Sequence, residues 1–145
     1  MDSLDKVTGR ALYSADIGLP GMLHGRVLWS PYAHARVLHL DVSKARALAG
    51  VMAVITAADA SGEQLVGEKA VFAGQPVAAV AAINPEVAEE ALGLIEVDYE
   101  ELTSVMDVLE AMKPDAPLIH PNLYTENPTG RATTPSNISW HVELK

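Results

Sequence analysis

Hydrophobic and polar positions change their period twice between residues 74 and 102. Residues 77–83 form an unbroken apolar run, which is short enough for a strand that is buried on both faces. Ala88 and Ala91 then recur at helical spacing among exposed glutamates. From residue 95 to residue 100 apolar side chains alternate with acidic ones, which is the period of a half-buried strand. The pattern therefore predicts a strand, a helix and a strand in succession.

Capping and turn residues bound this unit and several shorter elements. Asn84 is the predicted N-cap of the helix, and Pro85 is its first residue, where a missing N–H costs nothing. Ser43 is the predicted cap of an earlier short helix. In all, the patterns predict a short extended piece over residues 11–17, strands over residues 22–29, 33–42, 51–56 and 70–73, a loop or one helical turn over residues 57–69, and short helices over residues 44–48 and 107–112. Within residues 33–42, the even-numbered residues from His34 to Val42 are predicted to share one face.

The composition changes at residue 113. Residues 113–137 hold five of the nine prolines, which predicts an extended connector with no share in the core. Residues 138–144 alternate like a strand that carries Trp140, and the partners of such a strand are expected in sequence beyond this chain. The prediction is one domain over residues 1–120, followed over residues 121–145 by a linker and an orphaned strand of a longer protein.

Composition and charge exclude several classes of function. The chain has 145 residues, 49% of them hydrophobic, which is enough for one domain with a real core. A formal net charge of −9 argues against nucleic acid or an anionic membrane as a partner, because phosphates repel an acidic surface. Cysteine is absent, which excludes thiolate catalysis and cysteine-held zinc or iron–sulfur clusters within the chain. No apolar run approaches the ~20 residues of a membrane span. A soluble cytoplasmic domain is predicted.

For two groups of residues that could form a chemical site, a structural explanation is favoured over a functional one. The histidines show no metal-ligand spacing, and surface or interface positions are favoured for them: His24, His34, His39, His120 and His141. The acids between Glu96 and Glu101 could form a carboxylate site only if they lined a cleft. A solvated strand face is the favoured explanation for them. No catalytic, cofactor-binding or metal-binding residue is therefore predicted in this chain.

Gly74, Gln75 and Pro76 stand at the mouth of the predicted buried strand. A glycine and a proline around an amide side chain allow a backbone or a ligand to approach closely. A turn that merely starts the strand is the alternative.

A series of short segments resembles one domain family. Each segment is weakly specific alone, but their order and spacing make the resemblance specific over about residues 6–121. The segments are residues 6–11, 13–17, 19–23, 30–36 (Ser-Pro-Tyr-Ala-His-Ala-Arg), 50–54, 74–78 (Gly-Gln-Pro-Val-Ala), 97–102 and 116–120. Together they resemble the α/β-hammerhead domain of the large subunit of the xanthine dehydrogenase and aldehyde oxidase family. This resemblance implies an α+β fold with a mixed sheet and two or three short helices.

The resemblance also implies a function for the parent protein. Family members are molybdenum hydroxylases, oxidoreductases that use a molybdopterin cofactor with iron–sulfur clusters and often FAD in partner domains or subunits. The linker and spacing resemble the branch that includes 4-hydroxybenzoyl-CoA reductase and carbon monoxide dehydrogenase. Catalytic and cofactor-binding residues of the family lie in the molybdopterin-binding domains that follow, so this chain is expected to be a structural domain that is not catalytic alone.

The segments implied to contact the missing domains or another subunit are residues 30–36 and 74–76. Their candidate interface residues are Ser30, Pro31, Tyr32, His34, Arg36, Gly74, Gln75 and Pro76. The alternative function is a free-standing interaction or small-ligand-binding module with the same fold. Substrate, electron acceptor and subunit composition are left open by the sequence.

Overall fold

The structure, a computed structural model, describes residues 3–13, 16–60 and 65–142. Its helices are α1 (Ser3–Val7), α2 (Ser43–Ala47), α3 (Pro85–Gly93) and α4 (Val108–Ala111). Its strands are β1 (His24–Trp29), β2 (Ala35–Asp41), β3 (Val51–Ile55), β4 (Lys69–Ala70), β5 (Pro76–Ala82), β6 (Glu96–Glu101), β7 (Tyr124–Asn127) and β8 (Gly130–Pro135). In this part of the chain, every helix is too short or too polar to cross a bilayer.

The first sheet has the strand order β1-β5-β3, with both pairs antiparallel. Its central strand is the predicted apolar strand, and its alternate residues Ala78, Val80 and Ala82 are fully or almost fully buried. A central position explains the composition of β5, because a strand with neighbours on both sides and a covered face tolerates little polarity.

Helices α2 and α3 cover one face of this sheet. Ala45 of α2 and Ala91 of α3 lie in one buried cluster with Val80 and Ile95. Small alanines at these positions let the helices approach the sheet closely. Burial of such apolar area stabilises the fold by roughly 25 cal/mol per Å².

The second sheet has the strand order β4-β2-β6, again antiparallel. It packs against a second buried cluster, which consists of Val66, Ala70 and Val77. Leu40 and Val97 contact both clusters, so the two sheets share a continuous interior. The α+β class with short helices is thus confirmed.

The predicted start of α3 is confirmed, and that of α2 is wrong. The Asn84 side chain accepts a hydrogen bond from the Val87 N–H at 2.8 Å, and Pro85 opens α3. Ser43, in contrast, is the first residue of α2, whose N-cap Val42 provides no side-chain cap. The Ser43 N–H is satisfied instead by the carboxylate of Asp41 at 2.8 Å.

The predicted alternation of side chains between the two faces of residues 33–42 is also wrong. The register of β2 against β6 shifts between Val37 and His39, which places two residues opposite one and changes the face of the side chains that follow. As a result Leu38 is exposed, whereas Val37 and Leu40 pack against the core.

Residues 113–137 are not merely an extended connector. They contain the hairpin β7–β8, in which Asn127 pairs with Gly130 across a two-residue loop. The predicted strand over residues 138–144 is wrong for residues 138–142, where the structure has a single parallel bridge between Trp140 and Glu126. Residues 143–145 lie outside the described residues. The division at residue 120 stays a prediction.

Two further predictions overlap segments outside the described residues. The predicted extended piece over residues 11–17 includes residues 14 and 15, and the predicted loop over residues 57–69 includes residues 61–64. The strands predicted over residues 22–29 and 51–56 are present as the shorter β1 and β3. The strand predicted over residues 70–73 is wrong in its bounds, because it shares only Ala70 with β4.

Candidate functional site

The structure brings the two candidate interface segments together. The Ser30 N–H donates to the Gln75 carbonyl at 2.8 Å, and the Gly74 N–H donates to the Ser30 carbonyl at 2.8 Å. This reciprocal pair joins the end of β1 to the loop that enters β5. Residues 30–36 and 74–76 therefore form one continuous feature, which we call the corner.

Ser30 organises the corner from inside. It is 2% exposed, although it follows an exposed strand end. The Ser30 hydroxyl accepts from the Tyr32 N–H at 3.2 Å and lies 3.1 Å from the Tyr32 carbonyl, to which it donates. Since both backbone and side chain of Ser30 are fully engaged, it holds the turn through Pro31 in one geometry.

Gly74 and Gln75 build the opposite side of the corner. Gly74 has a φ of +84° and faces open space, so glycine is needed here for its backbone conformation and not for lack of room. The amide oxygen of Gln75 accepts from the Val71 N–H at 2.8 Å. That contact closes the loop between β4 and β5. Gln75 therefore acts as an internal brace, a role that its position in the sequence did not reveal.

His34 is the most buried polar side chain with an unmet hydrogen bond among the described residues. It is 6% exposed, so the expected surface position is wrong for His34, whereas the interface position stays a prediction. Its Nδ1 lies 2.6 Å from the Thr103 carbonyl, and because a carbonyl only accepts, Nδ1 carries the proton. Nε2 is buried without a partner in the described structure, which is uncommon for a polar atom.

Arg36 and Tyr32 connect the corner to β6. Arg36 forms an exposed ion pair with Glu100, and the rings of Tyr32 and Tyr99 lie 5.1 Å apart at 54°. Burial, with a smaller contribution from Tyr32, raises the pKa of the Tyr99 hydroxyl. The tilted ring pair is a favourable aromatic geometry and links the corner to β6 of the second sheet.

Two aromatic side chains beside the corner were not predicted as interface residues. Trp29 is 55% exposed and Phe72 is 53% exposed. Trp29 pairs with Pro76 just after a register shift in β1, and the Phe72 carbonyl accepts from the Gln75 N–H at 3.3 Å. An irregular strand end preceding Ser-Pro is the signal that could have identified Trp29 as outward-facing.

The acidic face of β6 does not form a catalytic carboxylate site. Glu96 pairs with Lys44 and Glu100 pairs with Arg36, and all four side chains are largely exposed. Across the described ranges no three His, Asp or Glu side chains cluster as metal ligands. The acids form a solvated strand face, which is the alternative that the sequence favoured.

Taken together, two packed sheets with helices on one of them and a corner held by backbone contacts define an α+β structural domain. A family model described as "Aldehyde oxidase and xanthine dehydrogenase, a/b hammerhead domain" matches residues 8–103. The chain belongs to this family, and the resemblance inferred from the sequence motifs is confirmed.

Curated relatives with different names match at similar identity. The chain is 44% identical over 129 residues to the carbon monoxide dehydrogenase large chain of Afipia carboxidovorans, covering 79% of this chain and 16% of that protein. It is 39% identical over 131 residues to the nicotinate dehydrogenase large molybdopterin subunit of Eubacterium barkeri, covering 83% and 31%. It is 40% identical over 131 residues to a probable xanthine dehydrogenase component of Bacillus subtilis, covering 82% and 17%.

Solved structures share the fold at the same coverage. The CO dehydrogenase of Oligotropha carboxidovorans matches with a TM-score of 0.76 and 42% identity, over 81% of this chain and 16% of that one. The aldehyde oxidoreductase of Desulfovibrio gigas matches with a TM-score of 0.77 and 30% identity, over 84% and 16%. The chain thus spans between 16% and 31% of the length of these relatives.

Proposed function

We propose that this chain is an architectural domain of the large subunit of a molybdopterin-dependent oxidoreductase. In this role it supports the cofactor-binding domains of the same polypeptide and helps to shape the approach to their active site. Partner domains or subunits supply the iron–sulfur clusters and the flavin. The chain alone performs no turnover.

One observation carries the proposal. Relatives named for carbon monoxide, nicotinate and xanthine resemble this chain at 44%, 39% and 40% identity. A domain that selected the substrate would be expected to differ most between proteins named for such different molecules. The nearly equal identities support a role that these enzymes share, which is structural.

The side chains support the same role. The described residues contain no group of three candidate metal ligands, and the chain has no cysteine. We assign no step of the reaction to this chain. Buried Ser30 and the conformationally constrained Gly74 instead hold backbone segments in place.

Turnover of the longer polypeptide tests the proposal. The uninterrupted reading frame that contains residues 1–145 is expressed with its neighbouring genes and assayed with an artificial electron acceptor. The substrates are carbon monoxide, an aldehyde, a purine and an N-heterocycle. We expect oxidation of at least one class by that protein and none by residues 1–145 alone. Turnover by the 145-residue chain would overturn the proposal, and a reading frame that stops at Lys145 would favour the free-standing module.

A further inference from the structure

The first sheet has one covered face, and on part of its other face the apolar side chains join neither buried cluster. Residues alternate across a strand, so the register assigns each side chain to a face. Arg26, Val80 and Val54 pair in one row on the face that α3 and α2 cover, as the contact of Arg26 with Glu89 of α3 shows. The rows on either side of this row belong to the opposite face.

Six residues form this opposite face, which we call the open face. Gly25 pairs with Ala81, which pairs with Ala53, and Val27 pairs with Ala79, which pairs with Ile55. The open face is therefore Gly25, Val27, Ala53, Ile55, Ala79 and Ala81.

The chemistry of the open face is unusual for a surface. It carries no charged or polar side chain, although the chain as a whole has a net charge of −9. Ile55 is 42% exposed, and none of the six residues belongs to either buried cluster. Val77 precedes Ala79 by two residues and therefore lies on the same side of β5. It is fully buried, in the cluster with Val66 and Ala70. The interior thus stops between Val77 and Ala79, and the apolar surface continues beyond it.

Side-chain size defines what fits there. Gly25, Ala53 and Ala81 make one row almost flat, and Val27 and Ile55 flank Ala79 in the next row. A flat shelf of small side chains accommodates bulky ones from the partner, because close packing leaves few voids. The complementary surface therefore presents aliphatic or aromatic side chains and no charge.

The area of the open face indicates which kind of partner can bind there. With strands about 4.8 Å apart and residues about 3.4 Å apart, six positions cover on the order of 200 Å². A stable complex between separate proteins buries about 800 Å² on each partner, so this face cannot hold a second copy or a separate protein by itself. A tethered partner needs far less area, because the linkage gives it a high effective concentration.

We infer that the open face docks the molybdopterin-binding part of the same polypeptide, a surface of bulky apolar side chains. The related polypeptides are long enough to contain such a docking partner, because this chain covers only 16% of the CO dehydrogenase and aldehyde oxidoreductase chains. This inference rests on the proposed function.

Thiol labelling tests the inference, because the chain has no cysteine of its own. The variants are Ala53→Cys on the open face and Ala47→Cys, an exposed residue of α2 on the other side of the sheet. Each is made in the 145-residue chain and in the full polypeptide, and maleimide modification of the peptide that carries the new cysteine is timed by mass spectrometry. Ile55→Cys repeats the measurement should Ala53→Cys fold poorly.

We expect Cys at position 53 to react at least ~100-fold more slowly in the full polypeptide than in the 145-residue chain, while Cys at position 47 reacts quickly in both. Equal reactivity at position 53 in the two proteins would overturn the inference. Protection already in the 145-residue chain would overturn it too, and would indicate a second copy or the chain's own segments as the occupant. A polypeptide with turnover but without protection contradicts the docking face alone, whereas protection without turnover contradicts the proposed function alone.

Discussion

The Gly74 N–H donates to the Ser30 carbonyl at 2.8 Å, and this bond links the end of β1 to the start of β5. It exists because Gly74 adopts a φ of +84°, a conformation that costs most residues roughly 1–2 kcal/mol. Without that turn, Ser30 and Gln75 could not face one another, and the corner would lose its backbone frame.

Replacement of Gly74 by alanine should destabilise the chain through the backbone alone. No atom lies within 4 Å of the added Cβ, so the expected loss is the conformational cost of about 1–2 kcal/mol, or roughly 4 °C in Tm for each kcal/mol. Gly93→Ala is the matched control, because Gly93 also faces open space but has no positive φ. It should leave Tm unchanged or raise it. Equal effects of the two replacements in calorimetry would contradict this account of Gly74.

Asp59 should make stability sensitive to acid. Hydrogen bonds from the backbone and hydroxyl of Thr56, with a smaller contribution from Arg46, lower the pKa of Asp59 below its ordinary 3.8. A depressed folded pKa means that the stabilisation is present above pH 3.8 and is lost as the pH falls through the lowered value.

Thermal unfolding between pH 2 and pH 7 checks this assignment. Asp59→Asn should have a lower Tm than the natural chain at neutral pH, and the gap should shrink below about pH 4. Thr56→Val removes the hydroxyl donor but keeps the backbone donor at 2.9 Å, so it should retain part of the acid sensitivity. A gap that stays constant down to pH 2 would refute the role of Asp59.

His34 should exist as the Nδ1–H tautomer. Its Nδ1 lies 2.6 Å from the Thr103 carbonyl, which only accepts, so the neutral ring leaves the lone pair on buried Nε2. Long-range ¹H–¹⁵N correlation spectra distinguish the two ring nitrogens. His141, which is exposed, provides a solvent-averaged reference in the same spectrum. A neutral His34 ring that carries its proton on Nε2 and none on Nδ1 would show that the contact with Thr103 is not formed.

Asn137 should control local opening of the segment after α4. Its side chain accepts from the Ile119 N–H at 3.0 Å and donates to the Ala111 and Pro117 carbonyls at 3.1 and 2.9 Å. Asn137→Ala leaves these groups unpaired at a cost of about 1–3 kcal/mol. Amide exchange at Ile119 should therefore accelerate by roughly 10–100-fold.

Asn127→Ala is the control for this effect. Asn127 bonds only locally, accepting from the Thr129 hydroxyl at 2.9 Å, so exchange at Ile119 should be unchanged. If both variants accelerate exchange at Ile119 equally, Asn137 is not the brace of this segment.

Local chemistry explains which elements the sequence could predict. The unit β5–α3–β6 was predictable because Asn84 and Pro85 mark the helix start and the periods on either side are regular. The register shift at Val37 was not, since a bulge depends on the pairing of β2 with β6 and leaves the local composition unchanged. The same shift decides that Leu38 faces outward.

The hairpin β7–β8 was missed because its prolines obscured a turn signal. Asn127, Pro128, Thr129 and Gly130 lie between residues that favour strands, and proline at the second position of such a segment favours a β-turn. In the corner, proximity of residues 30–36 and 74–76 follows from strand pairing, which a single sequence does not encode locally. Their role as an interface stays a prediction.

Molybdenum stoichiometry tests the central claim most directly. The full polypeptide and residues 1–145 are purified from the same molybdate-supplemented host and compared by elemental analysis. An architectural domain predicts stoichiometric molybdenum in the full polypeptide and none in residues 1–145. Stoichiometric molybdenum bound to residues 1–145 would contradict this claim. The cofactor would then be held by the domain to which we assign a purely supporting role.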